Sequence, residues 1–162
     1  MSFRWEAYLE LAQQLATGPV APPAPPEGEA GEQAPPPAAP LDPSEAALRT
    51  AVSRAYYSAY HLAREYVERM NLASVGKQDS HTSVWKALGA TGGNPRPRQE
   101  RAISATGFTL LKARKDADYE IDCPPYASPP TPEARRRYWK GQADLAVKNA
   151  GTIRDLLAQI RN

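Results

Sequence analysis

The stretch DPSEAALRTAVSRAYYSAYHLAREYVERMN, residues 42–71, decides the fold because it predicts one long helix. Its start carries a capping aspartate, Asp42, then Pro43 at the first helical position and Glu45 three residues after the cap. An apolar stripe then recurs at three- to four-residue spacing, uninterrupted by glycine or proline. Its members are Leu48, Val52, Ala55, Ala59, Leu62 and Tyr66. Such a helix has roughly eight turns and a length of about 43 Å.

A shorter helix is predicted upstream, over residues 3–16 (FRWEAYLELAQQLA), where apolar residues recur at helical spacing until Gly18-Pro19 ends the pattern. Residues 18–41 consist almost entirely of proline, alanine, glycine and glutamate. Because this segment has almost no large apolar side chain to bury, it cannot offset the entropy cost of ordering. We therefore expect a disordered Pro/Ala-rich loop after the first helix.

Three more helices are predicted downstream. They cover about residues 80–88, about residues 97–119, and the segment that opens with the cap-plus-proline start at Thr131-Pro132-Glu133. The apolar residues available for burial in the last two helices are Ile103, Phe108, Leu110, Leu111, Tyr138, Leu145, Ala146, Ile153, Leu156 and Ile160. No segment shows convincing strand alternation, so five helices predict an all-α bundle.

The length of 162 residues suits one domain. We expect it to comprise an N-terminal helix over residues 1–17, the loop over residues 18–41 and a main bundle over residues 42–162. No uncharged apolar run reaches about 18 residues, so no membrane span is predicted. The first ten residues include three charged ones where a signal peptide would need an apolar stretch, which favours a cytoplasmic protein.

Charge and metal-ligand content narrow the classes of partner. Residues 1–44 have a net charge of −5, whereas residues 45–162 have a net charge of +7. A basic folded part suits nucleic acid, although a solvated cationic surface is the alternative. The single cysteine, Cys123, excludes an internal disulfide framework and a cysteine-based zinc site. The only histidines, His61 and His81, exclude most His-rich metal sites, so we expect neither a metal nor another cofactor.

The segment SRAYYSAYH of the long helix carries the first candidate site. Arg54 and His61 are seven residues apart, which places them on one helix face about 10 Å apart along the axis. Tyr57 and Ser58 lie between them on that side. A histidine can transfer a proton near neutral pH, and an arginine can bind a phosphate and stabilise the charge of its transition state. The pair therefore suits phosphate chemistry.

The segment LKARKDADY, residues 111–119, carries a second cluster. Arg114 and Asp118 are four residues apart and can pair on one helix face, next to Tyr119. If the long helices are antiparallel, Asp118 can also meet Arg54. That contact would permit a purely structural reading, in which a partly buried Arg54, paired with the carboxylate and capped by tyrosine hydroxyls, fixes the helix register. The histidine of the same face would then be a core or interface residue.

Three consecutive arginines, Arg135, Arg136 and Arg137, lie in the first turn of the last helix. The helix dipole disfavours positive charge there by a few tenths of a kcal/mol. This placement is consistent with contacts to nucleic-acid phosphates, and a solvated helix face is the alternative. His81, at the start of the third helix, either closes the turn or lines the candidate site.

Three segments in this order, SRAYYSAYHLA on a long helix, SHTSVWKAL and LKARKDADY, resemble the HEPN superfamily (higher eukaryotes and prokaryotes nucleotide-binding). The N-terminal FRWEAYLELAQQLA followed by EAALRTAVSRAYYSAYHLAREY is similar to an uncharacterised bacterial branch of that superfamily. The resemblance covers residues 3–16 and about 44–160. It implies a helical bundle that usually forms a homodimer. Many members are metal-independent ribonucleases with an R-x(4–6)-H motif, and Arg54 and His61 fit that spacing.

The resemblance implies metal-independent RNA cleavage or RNA binding, as the toxin-like half of a defence system or of a toxin–antitoxin pair. His61 would help to deprotonate the ribose 2′-hydroxyl, and Arg54 would stabilise the developing phosphorane. The residues expected to orient the site, or to be structural, are Tyr57, Ser58, Arg114, Asp118 and Tyr119. The alternative is a non-catalytic subunit that binds a nucleotide or partners a minimal nucleotidyltransferase.

The tyrosines of the long helix favour a homodimer, because they offer more apolar surface than one partner helix covers.

Overall fold

The computed structural model of the protein describes residues 4–18, 43–72, 81–89, 97–119 and 131–161. Within these ranges all regular secondary structure is helical, in the order α1 (Glu6–Thr17), α2 (Glu45–Arg69), α3 (His81–Gly89), α4 (Arg98–Tyr119) and α5 (Pro132–Arg161). The prediction of an all-α chain with five helices is confirmed for this part of the chain. The predicted Pro/Ala-rich loop lies outside the described residues apart from Gly18, as do Asp42 and Cys123.

Helix α2 is the central element, and it packs against each of the other four helices. All six residues of its predicted apolar stripe are buried. Six further buried residues extend that stripe around most of the helix, which is why four neighbours can cover it. They are Ala51, Tyr56, Ser58, Tyr60, Ala63 and Val67.

Three of the four tyrosines of α2 are covered within one chain. Tyr56, Tyr60 and Tyr66 are 0%, 6% and 3% exposed. The surplus of apolar surface that favoured a homodimer through α2 is therefore taken up by the other helices, and that argument for dimerisation is wrong. The homodimer itself stays a prediction.

The helix starts follow local capping rules, with one correction. The cap of α2 is Ser44, whose Oγ accepts a hydrogen bond from the amide of Ala47 at 3.2 Å. The predicted Asp42 cap was therefore wrong, and Pro43 precedes the helix, because the hydroxyl of Ser44 lies directly before the first helical residue. The start of α5 is as predicted: Thr131 Oγ1 accepts from the amide of Ala134 at 3.2 Å.

Two predicted core residues lie at the surface. Phe108 on α4 is 38% exposed and Leu145 on α5 is 47% exposed. Each lies one residue away from the buried face of its helix, which is formed on α4 by Ile103, Gly107, Leu110 and Leu111. On α5 the buried face is formed by Trp139, Ala143, Ala146, Ala150, Ile153 and Leu157. One position is 100° of helix rotation, enough to move a side chain from core to surface.

No helix in the described ranges combines the length and the apolar character that a bilayer-spanning segment requires.

Candidate functional site

Tyr57, half-buried on α2, lies at the centre of the candidate site. Its hydroxyl accepts a hydrogen bond from Arg114 Nη2 at 3.0 Å, and the guanidinium carbon of Arg114 lies 5.5 Å from the centre of its ring. The rings of His61 and His81 lie 6.3 and 5.9 Å from the same ring, centre to centre. We call these four residues together with Asp118 the Tyr57 cluster. It joins residues from three helices, α2, α3 and α4.

The predicted pair of Arg114 and Asp118 forms on α4. Nε of Arg114 lies 2.6 Å from Oδ2 of Asp118, and their side chains are only 14% and 27% exposed. Oδ1 of the same carboxylate accepts a hydrogen bond from the hydroxyl of Ser53 on α2. Arg114 is thus the arginine that pairs with Asp118 and is hydrogen-bonded to a tyrosine hydroxyl, the contacts that the structural alternative expected of Arg54.

Aromatic residues at the start of α1 cover the predicted pair of Arg54 and His61. The His61 ring stacks on the ring of Trp5, with centres 3.5 Å apart and planes 8° apart. The guanidinium of Arg54 lies 5.1 Å from the ring centre of Tyr8. Both residues are half-buried. They are neither sealed in the core nor fully open, because one aromatic ring covers each of them.

The surroundings of His61 favour its uncharged form. Burial lowers its pKa below the ordinary value of 6.5, and the positive charge of Arg64 and the proximity of His81 lower it further. Trp5 is fixed above the imidazole by its own hydrogen bond, in which Nε1 donates to Oε1 of Glu65 at 2.9 Å. An uncharged imidazole is the form that can accept a proton.

His81 was predicted only to close a helix turn or to line the candidate site. It opens α3, and a hydrogen bond of 2.9 Å joins its Nδ1 to the hydroxyl of Tyr56. Its ring lies 4.8 Å from that of Tyr60, which in turn lies 5.1 Å from that of His61. Burial lowers the pKa of His81, and the charges of Arg114 and Lys115 add to that effect. A helix that opens with histidine is the sequence feature that pointed to His81. Only the packing of α3 on α2, however, brings the two imidazoles into one cluster.

An open groove with a volume of about 460 Å³ runs beside the Tyr57 cluster, between α2 and the C-terminal end of α4. Arg54, Ser53, Tyr57 and Asp118 line it, together with Arg49. Such a groove offers the guanidinium of Arg54 to a phosphate, while its hydroxyl, Ser53, and its carboxylate, Asp118, are hydrogen-bonded to each other. Its chemistry suits a nucleotide unit.

Two of the residues predicted to orient the site or to be structural, Ser58 and Tyr119, lie outside the Tyr57 cluster. Ser58 is only 1% exposed, and its Oγ has no hydrogen-bond partner in the described part of the chain, so it belongs to the core. It points inward because α2 is covered on nearly every side. Tyr119, at the end of α4, is by contrast 68% exposed.

The three consecutive arginines have different positions. Arg135 forms a bidentate pair with Glu45, at 2.8 and 3.0 Å, and lowers the pKa of that carboxyl. Arg136 and Arg137 line a separate pocket of about 270 Å³, together with Lys140. The first arginine is thus engaged in joining α5 to α2, while the other two face a cavity at the start of both helices.

Among the described residues no group of three or more histidine, cysteine, aspartate or glutamate side chains is placed to hold a metal ion. The chain matches no protein-family model, no curated protein and no solved structure. We therefore infer the function from the geometry of the Tyr57 cluster and its groove.

Proposed function

We propose that the protein binds RNA in the groove beside α2 and cleaves it without a metal ion, as a HEPN-like ribonuclease. One observation carries the proposal: the Tyr57 cluster gathers two imidazoles of lowered pKa and a guanidinium around one ring, next to a groove that contains a second guanidinium. RNA cleavage by attack of the ribose 2′-oxygen needs a base, an acid and a cation. The cluster offers a base and a cation, and solvent supplies the acid.

In this mechanism His61 accepts the proton of the 2′-hydroxyl, as its position on the face of Arg54 favours. The 2′-oxygen then attacks the neighbouring phosphorus, and the bond to the 5′-oxygen breaks, giving a 2′,3′-cyclic phosphate. The departing 5′-oxygen takes its proton from solvent, because burial and the charge of Arg114 lower the pKa of His81 and disfavour its protonated form. Arg54 stabilises the charge on the phosphorane, and Arg114 and Asp118 position the groups around Tyr57.

Single substitutions test this proposal with a short single-stranded RNA. His61→Ala and Arg54→Ala should each lower the cleavage rate at least about 100-fold, the usual scale of acid–base catalysis. Arg154→Ala is the control, because that exposed arginine pairs only with its neighbour Asp155 in the described contacts and should leave the rate unchanged. Addition of EDTA should have no effect.

Thermal melting of the same variants separates loss of catalysis from loss of fold. Melting temperatures close to that of the wild type, with cleavage lost, support the mechanism. A wild-type protein that cuts no RNA refutes it, as does a His61→Ala variant that cuts at the wild-type rate. If both substitutions lower the melting temperature by several degrees and no RNA is cut, Arg54 and His61 are structural.

A non-catalytic nucleotide-binding subunit is the second candidate. The observation that favours it is the stacking of Trp5 on His61, which covers one face of the imidazole. The groove with Arg54 and Asp118 then binds a nucleotide or RNA without cleavage, or contacts a nucleotidyltransferase partner. In that case Arg54→Ala weakens RNA binding, and neither the wild type nor the variant cleaves the RNA. We also propose that the protein forms a homodimer and pairs with an antitoxin.

A further inference from the structure

An aromatic ring is exposed to solvent one residue after Asp118, which lines the groove. Tyr119, the last residue of α4, is 68% exposed, the most exposed of the large apolar and aromatic side chains in the described part of the chain. The guanidinium carbon of Arg114 lies 5.3 Å from the centre of the Tyr119 ring and 5.5 Å from that of Tyr57. Arg114 Nη2 also donates to the hydroxyl of Tyr119 at 3.5 Å. Arg114 thus contacts both rings and orients the outer one.

The ring and the groove are neighbours. Asp118, which lines the groove, directly precedes Tyr119 in the chain, and Tyr57 belongs to both the groove and the ring–guanidinium contacts. A nucleotide whose phosphate meets Arg54 in the groove therefore has an aromatic surface within the same site.

We propose that Tyr119 is a base-stacking residue and that the groove takes single-stranded nucleic acid, an inference that rests on the proposed binding of RNA. An exposed aromatic ring keeps an apolar surface in water, and stacking against a base removes that surface from water. Every base has such a face, so the contact needs no particular sequence. In a duplex the faces of the bases are already stacked on one another, which leaves nothing for Tyr119 to cover.

The chain supplies a matched control on the same helix. Phe108 is also an exposed aromatic residue of α4, at 38%. Eleven residues separate it from Tyr119, so the two project in nearly the same direction and lie about 16 Å apart along the axis. Phe108 has neither an arginine against its ring among the described contacts nor a place in the groove. Removing its ring tests whether any exposed aromatic residue on this face has the same effect.

Binding of a labelled 2′-O-methyl RNA oligomer, which cannot be cleaved at the 2′-position, tests the inference by fluorescence anisotropy. Tyr119→Ala should raise the Kd about 10-fold or more, within the range of about 5- to 150-fold for one lost base stack. Tyr119→Phe should stay within about twofold of the wild type, because the ring remains and only the hydroxyl is lost. Phe108→Ala should bind like the wild type, and Tyr119→Ala should not change the binding of a duplex of the same sequence.

Four results would overturn the inference. They are the absence of single-strand binding, wild-type affinity in Tyr119→Ala, equal weakening of duplex binding, and a Tyr119→Phe variant as weak as Tyr119→Ala. The last result would mean that the hydroxyl contact with Arg114 matters rather than the ring. Failure of the proposed cleavage is seen separately: an unmodified oligomer that binds through Tyr119 but remains intact supports the stacking role and refutes the ribonuclease.

Discussion

The pair of Arg114 and Asp118 should stabilise the fold more than its helical spacing alone explains. An exposed pair at i,i+4 is worth about 0.3–0.5 kcal/mol. Here Arg114 is only 14% exposed, the ions are 2.6 Å apart, and the arginine also donates to Tyr57. Removing the arginine leaves the partly buried carboxylate with only the hydroxyl of Ser53 as a partner, which costs about 1–3 kcal/mol. We therefore expect Arg114→Met to cost about 2 kcal/mol of unfolding free energy.

A double-mutant cycle isolates the pairwise part of this energy. Urea unfolding followed by circular dichroism gives the free energy for the wild type, Arg114→Met, Asp118→Asn and the double variant. We expect a coupling of about 1 kcal/mol, since partial burial reduces screening by solvent without abolishing it. The pair of Lys112 and Asp116 is the control, because it has the same spacing on the same helix but a lysine side chain that is 78% exposed.

Comparing the coupling energies of the two pairs tests whether burial strengthens the pair of Arg114 and Asp118. The exposed pair should show no more than about 0.5 kcal/mol of coupling. If the cycle on Arg114 and Asp118 gives the same small value, partial burial does not strengthen the pair as argued above. If Arg114→Met is as stable as the wild type, the contacts around Tyr57 do not stabilise the fold at all.

Three further outcomes are expected. Gly107→Ala should lower stability by about 1–3 kcal/mol in thermal melts, because its methyl group would lie 2.2 Å from a ring carbon of Trp85; Gly141→Ala, whose methyl group meets nothing within 4 Å, should instead raise stability by about 0.5–1 kcal/mol. Because the pKa values of His61 and His81 are lowered in the fold, the unfolded state binds protons first as pH falls. The urea midpoint should therefore drop between pH 7.5 and pH 5.5, by less in a variant with both histidines changed to glutamine. Sedimentation at roughly tens of micromolar should show a dimer, as the resemblance to the HEPN superfamily implies, and a monomer there would contradict that prediction.

The sequence by itself determined the helices and the pairs within them. Caps and apolar spacing act over three or four residues, so the start of α5 at Thr131 and the buried stripe of α2 were readable without any tertiary contact. The pairing of Arg114 with Asp118 followed from their spacing in the same way. The predicted cap of α2, Asp42, was wrong by two residues, because the hydroxyl of Ser44 caps the helix.

Only the tertiary structure decided which side chains from different helices meet. His81 reaches Tyr56 and the Tyr57 ring from 25 and 24 residues away, and Trp5 covers His61 from 56 residues away. These contacts depend on how far each helix is rotated and shifted against α2, and side-chain packing across the whole bundle sets those two quantities. The periodicity of one helix carries no information about its neighbour's rotation. For that reason the sequence placed Arg54 and His61 on one face, while the fold supplied the rings that cover them.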